Sequence, residues 1–416
     1  MDFTQYDMIN RYERIRALPE SELDRRWNVM RDMMRAHGLK VLLIASPGDS
    51  GTSMWLLGTG NKIPDCIIFP LEDLPTAVYG GKPLRDGSFN PYAMPARNRI
   101  EPGIYGKVRN VNGFDPATVA RYLDDRAELG IVAPGSMSVS MEKKLFSAIP
   151  GLKLTDVSQE FSRIRSVKSQ YDIELCRASS QMHRIFLEAV PGVVRIGRTE
   201  REVMNDLRKI VMDLGSGGED LCLMINITDL DHNSYSGRYA VRSPEHRFQK
   251  GDMFRILLET SGPGGQFCAN ERYWSFGEPG KDFMKRYRTA IHAHELVQEK
   301  LRPGNSIRSA ADAVNAYINS EGYDTDNCCF IHSMGYTMGE YPMLSDNSVH
   351  PFSKVPDEDE PIQPNTIMIA HPHVGFDRSI KTSRFQMVRI VETYLILPGE
   401  TERLDISPRD EVYRIE

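Results

Sequence analysis

Four histidines and two glutamates carry most of the chemistry this sequence can offer. His232 stands between Asp231 and Asn233 in a polar loop separating two strand-like runs. An imidazole ordinarily titrates near ~6.5, which suits it to proton transfer at neutral pH. Glu271 lies in the stretch ANERYWSFG, beside Tyr273, Trp274 and Phe276. A carboxylate in such surroundings can anchor a cation, act as a base or attack as a nucleophile. The plainer alternative is a buried ion pair with the neighbouring Arg272. His332 follows Phe330-Ile331, so it is either a satisfied core histidine or a pocket group. His371 and His373 are two residues apart in a strand-like run and so share a face with Ile369, as a pocket wall or a half-buried sheet. Glu340 and Tyr341, in GEYP, are further candidates for lining a pocket. His292 and His294 sit at i, i+2 on a helix, do not share a face, and read as structural.

The elements that must position these groups can be read from periodicity. Leu23, Trp27, Met30 and Met34 recur at helical spacing up to Gly38, and the apolar run Val41–Ile44 follows as a buried strand. Further strands are predicted at Cys66–Phe69, Ala77–Tyr79 and Gly130–Val132, with helices over Ala117–Arg126 and Met141–Ala148. This alternation predicts a small α/β domain over residues 1–160. Beyond it, amphipathic helices are expected around Leu175–Phe186, Glu200–Leu214, Phe283–Leu301 and Ile307–Ser320. The runs LCLMINIT, DMFRILLET, GGQFCANERYWSFG, NTIMIAHPHV, SRFQMVRIV and TYLILPG read as strands, so residues 161–416 form an α+β domain. The glycine cluster at 261–265 lacks a following helix and reads as a hairpin turn, not a phosphate loop.

Composition narrows the function classes. The chain has 416 residues, 51 Lys and Arg against 57 Asp and Glu, and a formal net charge of −6. That balance argues against a nucleic-acid partner, which needs clustered positive charge. No apolar run is long enough to span a membrane. The polar start carries no apolar signal segment, so a cytoplasmic protein is the expectation. Six cysteines without CxxC spacing read as reduced, partly buried thiols.

Taken in order, the linker IRSVKSQYDIELCRAS, the loop DLDHNS, the stretch ANERYWSFGEP, the segment IHSMGYTMGE and the late strands IAHPHV and MVRIVETYLIL resemble the creatinase/aminopeptidase P/methionine aminopeptidase superfamily, peptidase family M24. The resemblance covers both domains and is strong from about residue 160 onward. It implies a creatinase-like α/β N-terminal domain followed by an α+β catalytic domain of the pita-bread fold. Metallopeptidases of the superfamily hold two divalent metals with two Asp, one His and two Glu. In this sequence the matching positions are Leu257, Ala269, His332, His371 and Val391. Aliphatic side chains cannot ligate a hard cation, so that dinuclear centre is not expected, nor is any other cofactor. A one-residue slip brings in Glu392 or Asn270 without completing a set.

The metal-free, creatinase-like branch resembles this chain more closely. There the loop histidine works as general acid/base and the ALERT glutamate holds a guanidinium, roles that fall on His232 and Glu271. His332, His371, His373, Tyr341 and Glu340 are then the expected substrate-binding residues, His371 standing where creatinase has a second glutamate. The implied activity is metal-independent hydrolysis of a C–N bond in a small amidine, amide or ureido compound, with elimination as a variant. The alternatives are a metal-dependent Xaa-Pro aminopeptidase or dipeptidase of the same fold, and a non-catalytic binding relative. The resemblance also implies a homodimer in which Asn61–Pro64, Arg97 and Arg99 reach the partner's pocket. The imidazole at 371 predicts a substrate less cationic than creatine, because an anion has been removed.

Overall fold

In a computed structural model of the chain, residues 18–45, 50–58, 64–87, 90, 107–216, 221–230, 245–324, 329–344, 360–375 and 388–416 are described. They divide into two compact units, Ala17–Arg165 and Ser166–Glu416. The sequence reading sets the division at 160; the units part at the end of helix Ser158–Ser166.

The first unit is built on a six-stranded mixed sheet. Its elements are α1 (Glu20–His37), β1 (Val41–Ala45), α2 (Ser50–Leu57), β2 (Cys66–Pro70), β3 (Thr76–Tyr79), β4 (Arg109–Asn112), α3 (Ala117–Ala120), β5 (Glu128–Val132), α4 (Val139–Ala148), β6 (Lys153–Asp156) and α5 (Ser158–Ser166). The strand order is β4-β3-β2-β1-β5-β6. β1 is buried along its whole length, as an uninterrupted apolar run in a central strand demands. The helix expected over 117–126 stops after one turn. The Asp124 carboxylate accepts the Arg126 backbone N–H at 3.1 Å, a local turn that competes with helix, and Ala127 then takes a positive φ of 49°.

In the second unit α6 (Gln170–Val193) and α7 (Glu200–Asp213) each open on a capping box, Ser169 with Asp172 and Thr199 with Glu202. The following elements are β7 (Cys222–Asp229), β8 (Asp252–Ser261), β9 (Phe267–Ser275), α8 (Lys281–Lys300), α9 (Ile307–Ser320), β10 (Phe330–Ser333), β11 (Glu340–Met343), β12 (Thr366–His371), β13 (His373–Val374), β14 (Val388–Arg389), β15 (Glu392–Ile396), β16 (Thr401–Arg403) and β17 (Tyr413–Arg414). One sheet runs β17-β9-β8-β7 and the other β11-β10-β12-β15-β16. Two apolar clusters cover their outer faces. In one, Met182, Phe186 and Leu207 of α6 and α7 meet Phe254, Ile256 and Trp274. In the other, Tyr287, Ala290 and Val314 of α8 and α9 meet Met368, Ala370 and Tyr394. Paired sheets faced by pairs of helices are the pita-bread arrangement, which follows the α/β N-terminal unit in sequence.

The glycine cluster does form the β8–β9 hairpin. Gly264 has φ 81°, and a Cβ there would lie 2.4 Å from Leu175 Cδ2, so only glycine fits. The run NTIMIAHPHV is not one strand. Pro372 has no N–H to give a ladder, and the chain changes sheet there: His371 ends β12, whereas His373 opens β13 and pairs with Arg389. No described helix is long and apolar enough to cross a membrane.

Candidate functional site

Strand alternation decides which side chains meet. The β8–β9 pairs Arg255↔Tyr273, Leu257↔Glu271 and Glu259↔Ala269 set these six residues on one face of their sheet. On β10 and β12 the register Phe330↔His371 and His332↔Ile369 makes the two histidines diagonal neighbours on one face. Their rings lie nearly parallel, with centroids 5.4 Å apart and planes inclined by 17°. The two Nε2 atoms are 3.3 Å apart, and the Phe330 ring borders both imidazoles. A Glu259 carboxylate oxygen completes the group: the three candidate ligand atoms all lie within 4.8 Å of one another, and all three residues are buried.

His332 Nδ1 faces the Ser333 carbonyl oxygen at 3.0 Å. A carbonyl only accepts, so Nδ1 carries a proton, and Nε2 is the nitrogen that faces His371. Burial first, then His332 and Arg389, push the His371 pKa well below its ordinary value, so this ring is neutral near pH 7. Burial raises the Glu259 carboxyl to about 7, Arg389 acting in the opposite direction.

Glu271 is placed differently from a free nucleophile. Arg389 grips it through two contacts, Nε to Oε2 at 2.7 Å and Nη2 to Oε1 at 3.0 Å, and Arg255 Nε stands 3.4 Å from Oε1. Burial raises its pKa, and Arg255 and Arg389 more than offset this, holding the carboxyl below its usual range. The neighbouring Arg272 is not its ion-pair partner. It lies on the opposite face and binds Glu392 at 2.9 Å and Asp405 at 2.7 Å. The slipped positions are occupied as well: Glu392 belongs to that arginine network, and Asn270 Nδ2 donates to Asp405.

The remaining expectations separate. Glu340 is a strut: it pairs with buried Lys168 at 2.7 Å and accepts the Tyr336 N–H at 2.9 Å. Tyr341 gives its hydroxyl to Glu360 and packs against the Phe330–Met343 cluster, so it borders the histidine pair through Phe330. His373 is half-buried on β13, off the strand that carries His371. His292 is exposed and paired with Glu295, while His294 is buried between Tyr394 Oη and the Ile390 carbonyl. His232, Asn61–Ile63, Arg97 and Arg99 lie outside the described residues. Glu259 was not anticipated. The signal was there in principle, since it sits two residues beyond Leu257 on the same strand face.

Residues 174–398 match the model of metallopeptidase family M24. The chain belongs to that family. An uncharacterized peptidase of Staphylococcus aureus (strain MW2) is 22% identical over 239 residues, 57% of this chain and 63% of the relative. The chain thus spans less than two thirds of the length of the curated relatives it matches. Among solved structures, the prolidase from Pyrococcus horikoshii OT3 aligns over 92% of this chain and 99% of its own at a TM-score of 0.68 and 16% identity. Dipeptidase PepE from Mycobacterium ulcerans aligns over 96% and 99% at 0.71 and 16%. These likenesses establish the shared fold.

The family name implies a metal centre, and the five matching positions do not fit the dinuclear form. Leu257, Ala269 and Val391 pack into one apolar cluster with Met224, Phe267, Met334 and Ile369. Hydrocarbon fills the place where carboxylates would be needed.

Proposed function

We propose that this M24 protein hydrolyses an amide-type C–N bond in a small, peptide-like substrate, with Glu259, His332 and His371 as its reacting centre. The observation that carries the reading is the convergence of these three buried groups at the junction of the two sheets. Family membership supports peptide chemistry, and so do the prolidase and dipeptidase among its structural neighbours. In the proposed reaction, water adds to the carbonyl carbon, the C–N bond breaks, and one water proton passes to the departing nitrogen. His232 is the proposed carrier of that proton, on the strength of its sequence match. Glu271, neutralised by two arginines, holds Arg389 in position and does not attack.

The metal-independent, creatinase-like reading keeps one specific observation in its favour, the hydrocarbon packed at Leu257, Ala269 and Val391. Creatine itself is a poor fit. The carboxylate expected to receive its guanidinium is already shared by Arg389 and Arg255. Assays of amine release over Xaa-Pro and other dipeptides, creatine and ureido compounds decide between the readings. The proposal expects a dipeptide or related amide to be the best substrate. Creatine turned over faster than every amide would contradict it.

A further inference from the structure

We propose that Glu259, His332 and His371 bind a single divalent transition-metal ion. The proposal shares its residues with the reacting centre above, but its test does not depend on turnover.

Geometry is the first support. Two imidazole nitrogens bound to one ion at about 2.0–2.1 Å stand roughly 3.0–3.4 Å from each other. The His332 and His371 Nε2 atoms are 3.3 Å apart with near-parallel rings. That spacing suits one ion held by both rings as well as it suits an N–H···N hydrogen bond between them. The second support is orientation. The Nδ1–H of His332 is spent on the Ser333 carbonyl, the outer hydrogen bond that fixes a ligating tautomer. The third is the carboxylate. Glu259 is buried and brings a carboxylate oxygen within 4.8 Å of both imidazoles.

The donor set selects the metal. Two nitrogens and one carboxylate suit Zn2+, Fe2+ or Co2+, whereas Mg2+ and Ca2+ prefer all-oxygen shells. Three protein ligands leave a position open for water or substrate. Glu259 corresponds to none of the five ligand positions of the family. With Leu257, Ala269 and Val391 apolar, one ion is expected and not two.

The test uses chelator-stripped full-length protein, titrated calorimetrically with ZnCl2 and spectroscopically with CoCl2. One equivalent of Zn2+ per chain is expected, together with Co2+ visible bands of a low-coordinate nitrogen/oxygen site. Glu259→Gln and His371→Ala should each weaken Zn2+ binding at least 100-fold, while the surface control His292→Asn leaves it unchanged. The Co2+ spectrum of the wild type needs no variant, so misfolding of a mutant leaves the question answerable. No Zn2+ binding by wild type would overturn the proposal. So would two equivalents, or binding indifferent to Glu259→Gln in a folded variant. Stoichiometric metal without hydrolysis of any amide would support the site and sink the proposed activity instead.

Discussion

Arg389 is the residue on which the local charge balance turns. It grips Glu271 with two contacts and lowers the pKa values of both Glu259 and His371. Arg389→Ala leaves a fully buried carboxylate with Arg255 alone, and breaking a buried pair costs about 3 kcal/mol or more. Urea unfolding should show that loss as a lower midpoint at unchanged slope. Glu271→Gln should restore part of it in the double variant, because the orphaned charge is then gone. Residue types were legible in the sequence to an uneven degree. His332 and His371 stood out by motif and do meet. Glu259 did not stand out, because a glutamate ending an apolar strand looks like a strand terminus until the facing sheet is in place. The alternative reading of Glu271 as an ion pair with Arg272 fails on alternation, since adjacent strand residues face opposite ways.

Among elements, β9, β15 and β16 are tied together by a second charge network around Glu392. Arg272, Arg403 and Arg409 all reach its carboxylate, and Tyr394 donates to it at 3.0 Å. Burial raises the Glu392 pKa, and His294 and the three arginines more than offset this, bringing it down to about 2 from an ordinary 4.5. The folded pKa lies below the unfolded one, so the folded state binds fewer protons between those values. The resulting stability is complete above about pH 4.5 and is lost as pH falls toward 2. It amounts to on the order of 3 kcal/mol. Glu392→Gln should therefore flatten the acid limb of a Tm-against-pH curve, and an unchanged limb would contradict the assignment. Strands such as β1, β8 and β12 were visible in the sequence because continuous apolar runs leave few other states. The break at Pro372 and the one-turn α3 were hidden by runs whose composition favoured continuation. Local hydrogen bonding and a missing N–H decided both.

For the molecule as a whole, a chain of the M24 family packs Leu257, Ala269 and Val391, the positions that the resemblance matches to metal ligands, into one apolar cluster. The two-unit plan and the pita-bread arrangement were legible because motif order constrains topology. The proposed centre was only half legible, because it is assembled from β8 of one sheet and β10 and β12 of the other. Glu259, on the same strand face as Leu257, is the least expected member of that proposed centre. The most direct measurement is kcat/KM of Glu259→Gln on the best amide substrate, with Tm recorded on the same preparation. A loss of at least about 10³-fold is expected, equivalent to roughly 4 kcal/mol of transition-state stabilisation, in a protein that still unfolds cooperatively. A kcat/KM within threefold of wild type would contradict it.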